Sequence, residues 1–561
     1  MHELKPKLFS VMKTYTKDQL IKDIISGIIV AIIALPLSIA LSIASGVSPE
    51  KGLYTAIIAG FCISFFGGSR VQIGGPTAAF VVIIYGIIEQ YGINGLIIAT
   101  IMAGIFMIIF GLCRAGNLIK FIPYTITTGF TAGIAVTIAI GQIKDFMGID
   151  MGALPSDFVE KVIALAKNIG NLNWIALGIG VLALAIQIVW PKLMGLLPEK
   201  LKYIKAIPGS LIAIVIATVL VNCLDLPVAT IGSLNYDLSA KFPTISLPEI
   251  KLGMIKDLIS PAFTIAILAS IESLLSAVVA DGMIGSKHRS NAELIGQGIG
   301  NILAGLFGGI PATGAIARTA ANIKNGGRTP IAGMVHSVVL LVILLLLMPY
   351  ASWIPMPVLA SILIMVAYNM SGISNCIRLC KKAPKSDILV FILTFVLTVF
   401  FDLVVAIEIS MIVAAALFMK RMADTTDIRI WKDIQPDEES DPDNIRLKHI
   451  PTNTLVYEIC GPMFFGMTDK FMELTRNKDK EVIIIRMRSV PSIDASALHS
   501  LYDILDNCKK NKITLIFSHV NEQPMKMMQK AKFDEEVGVE NFCANIDEAI
   551  KRAESITEFD K

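Results

Sequence analysis

The hydrophobic pattern divides the chain into a long apolar part, which ends near residue 420, and a shorter mixed part. Apolar runs alternate with short polar turns throughout the first part, as is typical of a polytopic α-helical membrane protein. We predict seven segments in the first half, at about 24–44, 52–66, 78–88, 96–112, 125–143, 174–189 and 208–221. Seven more are predicted in the second half, at about 261–280, 294–307, 315–323, 331–348, 357–370, 388–401 and 404–419.

An odd number of segments in each half determines how the halves are related. The second half must enter the membrane from the opposite side, so the fourteen segments form a 7+7 inverted repeat. Gly-Gly, Pro, Thr breaks at 73–79 and 307–318 precede segments that are too short to cross a core of roughly 30 Å. Paired broken segments indicate a transporter with a binding site at the membrane midplane.

The composition changes abruptly after Met422. An acidic stretch with two prolines reads as a solvated linker, and it is followed by alternating β and helical patterns. The predicted strands are 454–460, 482–487 and 514–517, and the predicted helices are 468–477, 495–510, 524–531 and 546–555. The predicted domains are a cytosolic segment 1–22, a transport domain 23–422 with repeats at about 23–222 and 257–420, a linker 423–450 and a small α/β domain 451–561.

Composition and charge agree with a membrane protein. The chain is 54% hydrophobic, and its net charge of +3 provides no argument for binding nucleic acid. Lysine and arginine cluster after even-numbered segments, so both termini are predicted to be cytoplasmic and the protein to lie in the cell's inner (plasma) membrane. The eight cysteines show no metal-type pairing and no catalytic constellation is present, so we expect neither an enzyme nor a bound cofactor.

Glu272 is the strongest single signal for chemistry, because it lies in the middle of segment 261–280. A carboxylate there is expensive and normally faces a cavity or a partner. Glu272 is therefore a candidate ligand for a coupling ion or a proton carrier; the alternative is a structural ion pair or a helix-packing hydrogen bond. Ser276, one turn further along the same face, would supply a hydroxyl to an oxygen-ligand set.

Arg318 is the second charge whose place within the membrane is energetically unfavourable. It lies one turn inside the helix that follows the second break. The helix ends near 77–79 and 314–316 present backbone N–H groups and partial positive charge, which favour an anion. We interpret Arg318 as an anion contact; the alternative is that it snorkels or pairs with Glu272. Thr77 either contributes its hydroxyl to the site or only caps its helix.

One position in the mixed domain is a candidate for regulation. Ser496 lies at a predicted loop-to-helix junction, where added phosphate charge would be stabilised by the helix N-terminus. A plain helix cap formed by Asp494 or Ser492 is the alternative.

With these residues in hand, the chain resembles the SulP family of anion transporters over essentially its whole length. The resemblance rests on Leu35-Pro36, Gly52-Leu53-Tyr54-Thr55-Ala56, Gly74-Gly75-Pro76-Thr77-Ala78, Glu272-Ser273-Leu274-Leu275-Ser276, Gln297-Gly298 through Asn301, and Gly308-Gly309-Ile310-Pro311-Ala312-Thr313-Gly314-Ala315-Ile316-Ala317-Arg318. The last domain looks like the STAS domain of the family. The resemblance implies a uracil-permease-like fold with core and gate subdomains, a homodimer, and cytosolic STAS domains that could bind a protein partner.

The resemblance also implies where the ligands bind. The matching positions for the anion are Thr77, Ala78, Ala315, Ile316 and Arg318. For sodium, the only metal ion expected, they are Glu272, Ser276, Gly314 and Ala315. Because this chain has Glu where the sodium-coupled bicarbonate member has Asp, coupling to sodium and coupling to protons both stay open.

These observations predict a secondary active transporter for sulfate, bicarbonate or dicarboxylates, working by alternating access as a sodium or proton symporter. An anion exchanger or a channel-like conductor is one alternative, and a nucleobase permease on the same fold is another. A membrane-tethered regulatory scaffold is a third. The predicted partners are the small anion or carboxylate, the lipid bilayer, a second copy of the chain and a cytosolic protein at the STAS domain.

Overall fold

The structure is a computed structural model. It describes residues 4–117, 123–152, 154–155, 157–196, 207–234, 240–249, 252–401, 403–431, 450–451, 453–465 and 480–559. The predicted helix 468–477 and most of the predicted linker lie outside the described residues. Two compact units are present, Met1–Met411 and Ile412–Lys561.

The first unit is built from helices and two very short strands. Its first half contains α1 (Leu8–Val11), α2 (Lys17–Ala44), α3 (Pro49–Phe66), β1 (Gly74–Pro76), α4 (Val81–Leu112), α5 (Tyr124–Gly141), α6 (Ile143–Met147), α7 (Phe158–Asn168), α8 (Trp174–Leu196) and α9 (Gly209–Cys223). Its second half contains α10 (Leu252–Ile284), α11 (Ser290–Leu306), β2 (Ala312–Gly314), α12 (Ile316–Lys324), α13 (Pro330–Leu347), α14 (Met356–Ser371), α15 (Ile373–Lys382) and α16 (Lys385–Phe400). A further helix, α17 (Leu403–Thr425), contains the division between the units.

The predicted segments correspond to helices in the structure. In the first half they are α2, α3, the two parts of α4, α5, α8 and α9, and in the second half α10, α11, α12, α13, α14, α16 and α17. Seven of the described helical segments are long and apolar enough to cross a membrane. The predicted fold class, a polytopic helical membrane domain followed by an α/β domain, is confirmed.

Three features differ from the sequence prediction. The segment predicted to begin at Pro261 begins at Leu252, because a proline inside a membrane helix is tolerated where neighbouring groups replace the lost hydrogen bond. The predicted short segment 78–88 continues into the next one, and only Gly92, with φ 65° and ψ −168°, interrupts the helix. The amphipathic helices α7 and α15 were not predicted, because both are too polar to count as membrane segments.

Glycine allows the closest helix packing in the first unit. A Cβ on Gly104 of α4 would lie 2.6 Å from the Gly298 carbonyl oxygen of α11, and a Cβ on Gly298 would lie 2.5 Å from the Gly104 carbonyl oxygen. Small residues at such positions let helix backbones approach in a membrane, where packing replaces the hydrophobic effect as the driving force. The two helices therefore form a tight pair that supports the second break.

The second unit is a five-stranded sheet covered by helices. Its strands, in the order β3-β4-β5-β6-β7, are β3 (Asp427–Trp431), β4 (Thr454–Cys460), β5 (Val482–Ser489), β6 (Thr514–Ser518) and β7 (Phe542–Cys543). Its helices after α17 are α18 (Ala495–Lys510), α19 (Glu522–Lys530), α20 (Phe533–Val537) and α21 (Ile546–Phe559). Among the described strands of this sheet, β3 pairs antiparallel with β4 and the other three pairings are parallel.

Buried apolar residues lie on both faces of this sheet. Tyr457 and Phe517 pack against α18 to α20 on one face, and Val456 and Ile484 pack against α21 on the other. The near-continuous apolar runs of β4 to β6 follow from this double coverage. Residues 427–431, which sequence analysis placed in the linker, form the edge strand β3 because Asp, Ile, Arg and Ile alternate there.

Candidate anion and coupling-ion site

The two breaks in the membrane sequence meet in space. The strands β1 and β2 pair antiparallel, with Gly75 opposite Thr313 and Pro76 opposite Ala312. Antiparallel pairing is what two halves of an inverted repeat would give. A helical turn follows each strand, so the N-terminal ends of two helices lie beside this pair of strands. We call the pair formed by β1 and β2 the crossing.

Polar side chains one turn apart on α11 bind β2 and the loop that precedes β1. The Glu293 carboxylate accepts hydrogen bonds from the backbone N–H groups of Gly68 (2.8 Å) and Ser69 (2.9 Å), and the Gln297 amide donates to it (2.9 Å). Asn301 is fully buried; its amide oxygen accepts from the Ala312 N–H at 2.8 Å, and its amide nitrogen donates to the Ala312 carbonyl at 2.9 Å. Both backbone polar groups of Ala312 are thereby satisfied opposite Pro76, which has no N–H to offer.

Replacing Asn301 by Ala is expected to destabilise the membrane unit by about 2–4 kcal/mol, because two buried backbone groups of Ala312 would lose their partners. Thermal unfolding of the purified protein in detergent would measure this as a fall of several degrees in the apparent Tm. The control is Asn168→Ala, since the Asn168 amide bonds only a carbonyl of its own helix. Equal melting temperatures for the two variants would contradict the supporting role of Asn301.

Free N–H groups line the first helix end. Thr77 precedes the 3₁₀ turn Ala78–Phe80, and within the described part of the chain the N–H groups of Ala78 and Ala79 donate to no acceptor. Thr77 is half-buried, and its side chain makes no capping hydrogen bond. The Thr77 hydroxyl therefore does not cap this helix, and the plain helix cap does not explain the residue.

The second helix end is partly occupied by protein groups. The Gly314 N–H donates to the Ser273 hydroxyl at 3.1 Å, and the Ala315 N–H donates to the Ile73 carbonyl at 2.9 Å. The first N–H groups without an acceptor among the described residues are those of Ile316 and Ala317, and both residues are exposed. The groups that can meet an anion thus lie two residues further along the chain than Gly314 and Ala315.

Glu272 lies on α10 beside the first helix end. Its carboxylate is within hydrogen-bonding range of the Thr77 hydroxyl, and the side chain is half-buried. Among the described residues no lysine, arginine or histidine forms an ion pair with Glu272, and Arg318 in particular does not. The structural ion pair considered for these two residues is therefore absent.

Ser276 is placed differently from the prediction that groups it with Glu272. It is buried, and its hydroxyl faces Thr319 of α12 at 3.5 Å, while the Thr319 hydroxyl accepts the Ile73 N–H at 3.1 Å. Ser273, directly after Glu272 in the chain, contacts the crossing itself, with its hydroxyl 2.7 Å from that of Thr313. Sequence analysis did not identify Ser273 and Thr319 as site residues, because an isolated hydroxyl side chain in a membrane helix forms no repeating pattern in the sequence.

Arg318 is sealed inside the core, with 1% of its surface exposed. Its Nη2 donates to the Pro76 carbonyl, and within the described chain Nε and Nη1 have no hydrogen-bond partner. The guanidinium lies directly against Gly75, where a Cβ would overlap Nη1. In this conformation the guanidinium lies behind β1 and is not exposed to a ligand.

Ser496 is exposed in the first turn of α18. The Asp494 carboxylate caps that helix, accepting from the Ala497 N–H at 2.8 Å and from the Phe465 N–H at 3.1 Å. Because Asp494 provides the cap, the Ser496 hydroxyl is not needed for it. Ser496 remains a prediction as a phosphorylation site.

Comparison with family models gives two matches. The model described as the sulfate permease family matches residues 20–394, and the STAS domain model matches residues 444–549. Together the two models cover most of the chain.

Two curated relatives match nearly the whole length. A putative sulfate transporter, YvdB of Bacillus subtilis strain 168, is 41% identical over 545 residues, which are 96% of this chain and 98% of the relative. The bicarbonate transporter BicA of a Picosynechococcus species is 31% identical over 528 residues, covering 91% of this chain and 90% of the relative.

Two solved structures are similar to this one. The structure of SLC26A9 aligns with a TM-score of 0.86 at 18% identity and covers 100% of this chain and 94% of its own, which supports the fold alone. The transmembrane domain of a cyanobacterial BicA aligns with a TM-score of 0.61 at 29% identity, over 72% of this chain and 98% of its own.

Proposed function

The chain belongs to the sulfate permease family and is a multi-pass membrane anion transporter, and we propose that it is a secondary active symporter for a small oxyanion or carboxylate. The single observation that carries the proposal is the pair of helix ends with free N–H groups beside the Glu272 carboxylate, which has no cationic partner among the described residues. Sulfate and bicarbonate are the first substrates to test, because relatives bear those names.

Backbone N–H groups bind the anion in this proposal. The N–H groups of Ala78 and Ala79 from one side, and of Ile316 and Ala317 from the other, carry the partial positive charge of helix N-termini. Arg318 strengthens the positive potential at both ends without contacting the ligand. The Thr77 hydroxyl adds a donor that can turn toward either the anion or Glu272.

Glu272 couples the anion to a cation. An ionised carboxylate beside the anion repels it, so the anion binds weakly while Glu272 is charged. A sodium ion or a proton at Glu272 removes that repulsion, and by linkage the anion strengthens cation binding by the same factor. The half-buried Glu272 side chain and the Thr77 hydroxyl provide oxygen ligands for sodium; proton binding requires Glu272 alone.

The crossing makes the two helix ends move together. Since β1 pairs with β2, and α11 bonds both β2 and the loop before β1, the part of the membrane unit that carries the site moves as one body against the remaining helices, which gives alternating access. In this proposal the N- and C-termini lie in the cytoplasm, the membrane is the plasma membrane, and the transporter is a homodimer. The STAS domain binds a cytosolic partner, under the control of Ser496.

Uptake of labelled sulfate, bicarbonate and succinate into proteoliposomes, with inward sodium and proton gradients imposed separately, tests the proposal. We expect one gradient to drive one of these anions above its equilibrium concentration. Flux that only equilibrates, with either gradient, would replace the symporter by an exchanger or a channel-like conductor.

A further inference from the structure

A cavity of about 440 Å³ lies at the end of α2 that is far from the N-terminus. Ala44, the last residue of α2, lines it, together with residues of α4, α5, α7 and α10. With the N-terminus in the cytoplasm, the cavity lies on the extracytoplasmic side.

The cavity extends toward the proposed anion site. Val81, the first residue of α4, lines it, and Val81 follows directly after the 3₁₀ turn that carries the free N–H groups of Ala78 and Ala79. Three residues of helix span only about 5 Å. On α10, Ser260 and Thr264 line the cavity two turns or more before Glu272.

Lys161 brings a positive charge to this cavity. The residue lies on α7 and is 9% exposed, yet the described residues provide no carboxylate within 4 Å of its ammonium and no hydrogen-bond acceptor for it. Asp157 also lines the cavity, and one of its carboxylate oxygens caps α7 by accepting from the Val159 and Glu160 N–H groups at 2.9 and 3.0 Å; within the described chain it forms no ion pair with Lys161.

The surroundings make this lysine responsive to an anion. Burial lowers the pKa of Lys161, whereas Asp157 and Glu89 act in the opposite direction. A partly desolvated ammonium that lacks a paired acid gains more from a mobile anion than a fully hydrated one does. The side-chain amides of Gln90 and Gln142 also line the cavity and offer neutral donors.

We propose that this cavity is the extracytoplasmic vestibule of the transporter and that Lys161 holds a small oxyanion or carboxylate there before it reaches the crossing. This inference rests on the proposed function. The ligand class follows from the Lys161 ammonium and the amide donors, which match a small anion of one or two charges; the Asp157 carboxylate, which also lines the cavity, disfavours anions of higher charge.

Initial uptake of labelled sulfate, bicarbonate and succinate is measured against external concentration in cells that express the full chain, with the amount of protein at the surface quantified. For the transported anion, Lys161→Gln is expected to raise KM roughly threefold to tenfold with kcat nearly unchanged, and Lys161→Arg to restore it. The difference in KM should shrink as ionic strength rises. The matched control is Lys167→Gln on the same helix, since Lys167 is exposed and lies outside the cavity.

The outcomes separate the two proposals. Wild-type uptake with an unchanged KM in Lys161→Gln would overturn the vestibule alone, as would equal losses in Lys161→Gln and Lys161→Arg. If the wild type takes up none of the three anions, the proposed function fails and the vestibule fails with it.

Discussion

Replacing Glu272 by Gln is expected to abolish accumulation of the anion and to lower gradient-driven uptake at least about 100-fold. The amide keeps the size and one oxygen of the side chain but carries neither the negative charge nor a titrating proton. A loss of about 3 kcal/mol in binding the coupling ion corresponds to roughly that factor. Proteoliposomes with an imposed sodium or proton gradient provide the measurement.

The anion binding and exchange that Glu272→Gln retains also test the proposal. With the repulsion between carboxylate and anion removed, Glu272→Gln should still bind the anion and exchange it at equal concentrations on both sides. The control is Glu408→Gln, the same change at an exposed glutamate of α17. Full accumulation by Glu272→Gln would show that coupling resides elsewhere.

Gly75→Ala is expected to reduce transport about tenfold or more and to destabilise the membrane unit by about 1–3 kcal/mol. Gly75 has φ +155°, a conformation that other residues rarely adopt, and an added Cβ would overlap Nη1 of Arg318. Either the guanidinium must leave its position behind β1 or the pairing of Gly75 with Thr313 must open. Both changes weaken the positive potential at the helix ends.

Anion binding by the purified variant, followed by isothermal calorimetry, and its apparent Tm provide the measurements. Gly178→Ala in α8 is the control, because nothing lies within 4 Å of the added methyl group. Wild-type affinity in Gly75→Ala would refute the close dependence of the site on the position of Arg318.

The hydrophobic pattern predicted the membrane segments well, because long apolar runs leave few alternatives in a bilayer. It could not predict where α10 begins. The proline at 261 resembles a helix start but lies inside the helix, and the polar residues before it do not mark the true first turn. The edge strand β3 was also missed. Five alternating residues next to an acidic stretch resemble a loop until the partner strand β4 is known.

Within the candidate site, charged residues in membrane segments were easier to predict from the sequence than the contacts that they make. Glu272 and Arg318 stand out as charges in apolar sequence, yet the sequence left open whether they pair, and in the structure they do not. The occupied N–H groups of Gly314 and Ala315 were unpredictable, because their acceptors, Ser273 and the Ile73 carbonyl, come from distant parts of the chain. Tertiary pairing decides which backbone groups stay free.

The crossing of β1 and β2 can form only after both of its strands have been synthesised. Pro76 and Arg318, which meet there, are 242 residues apart. At a synthesis rate of about 5–20 residues per second, roughly 12–48 seconds pass between the appearance of one and of the other at the ribosome. During that interval the first break lacks its hydrogen-bond partners from β2, Thr319 and Arg318, and its unpaired backbone groups are poorly suited to lipid. We therefore expect the nascent first half to stay in contact with water or with the membrane-insertion machinery until the second half has been synthesised.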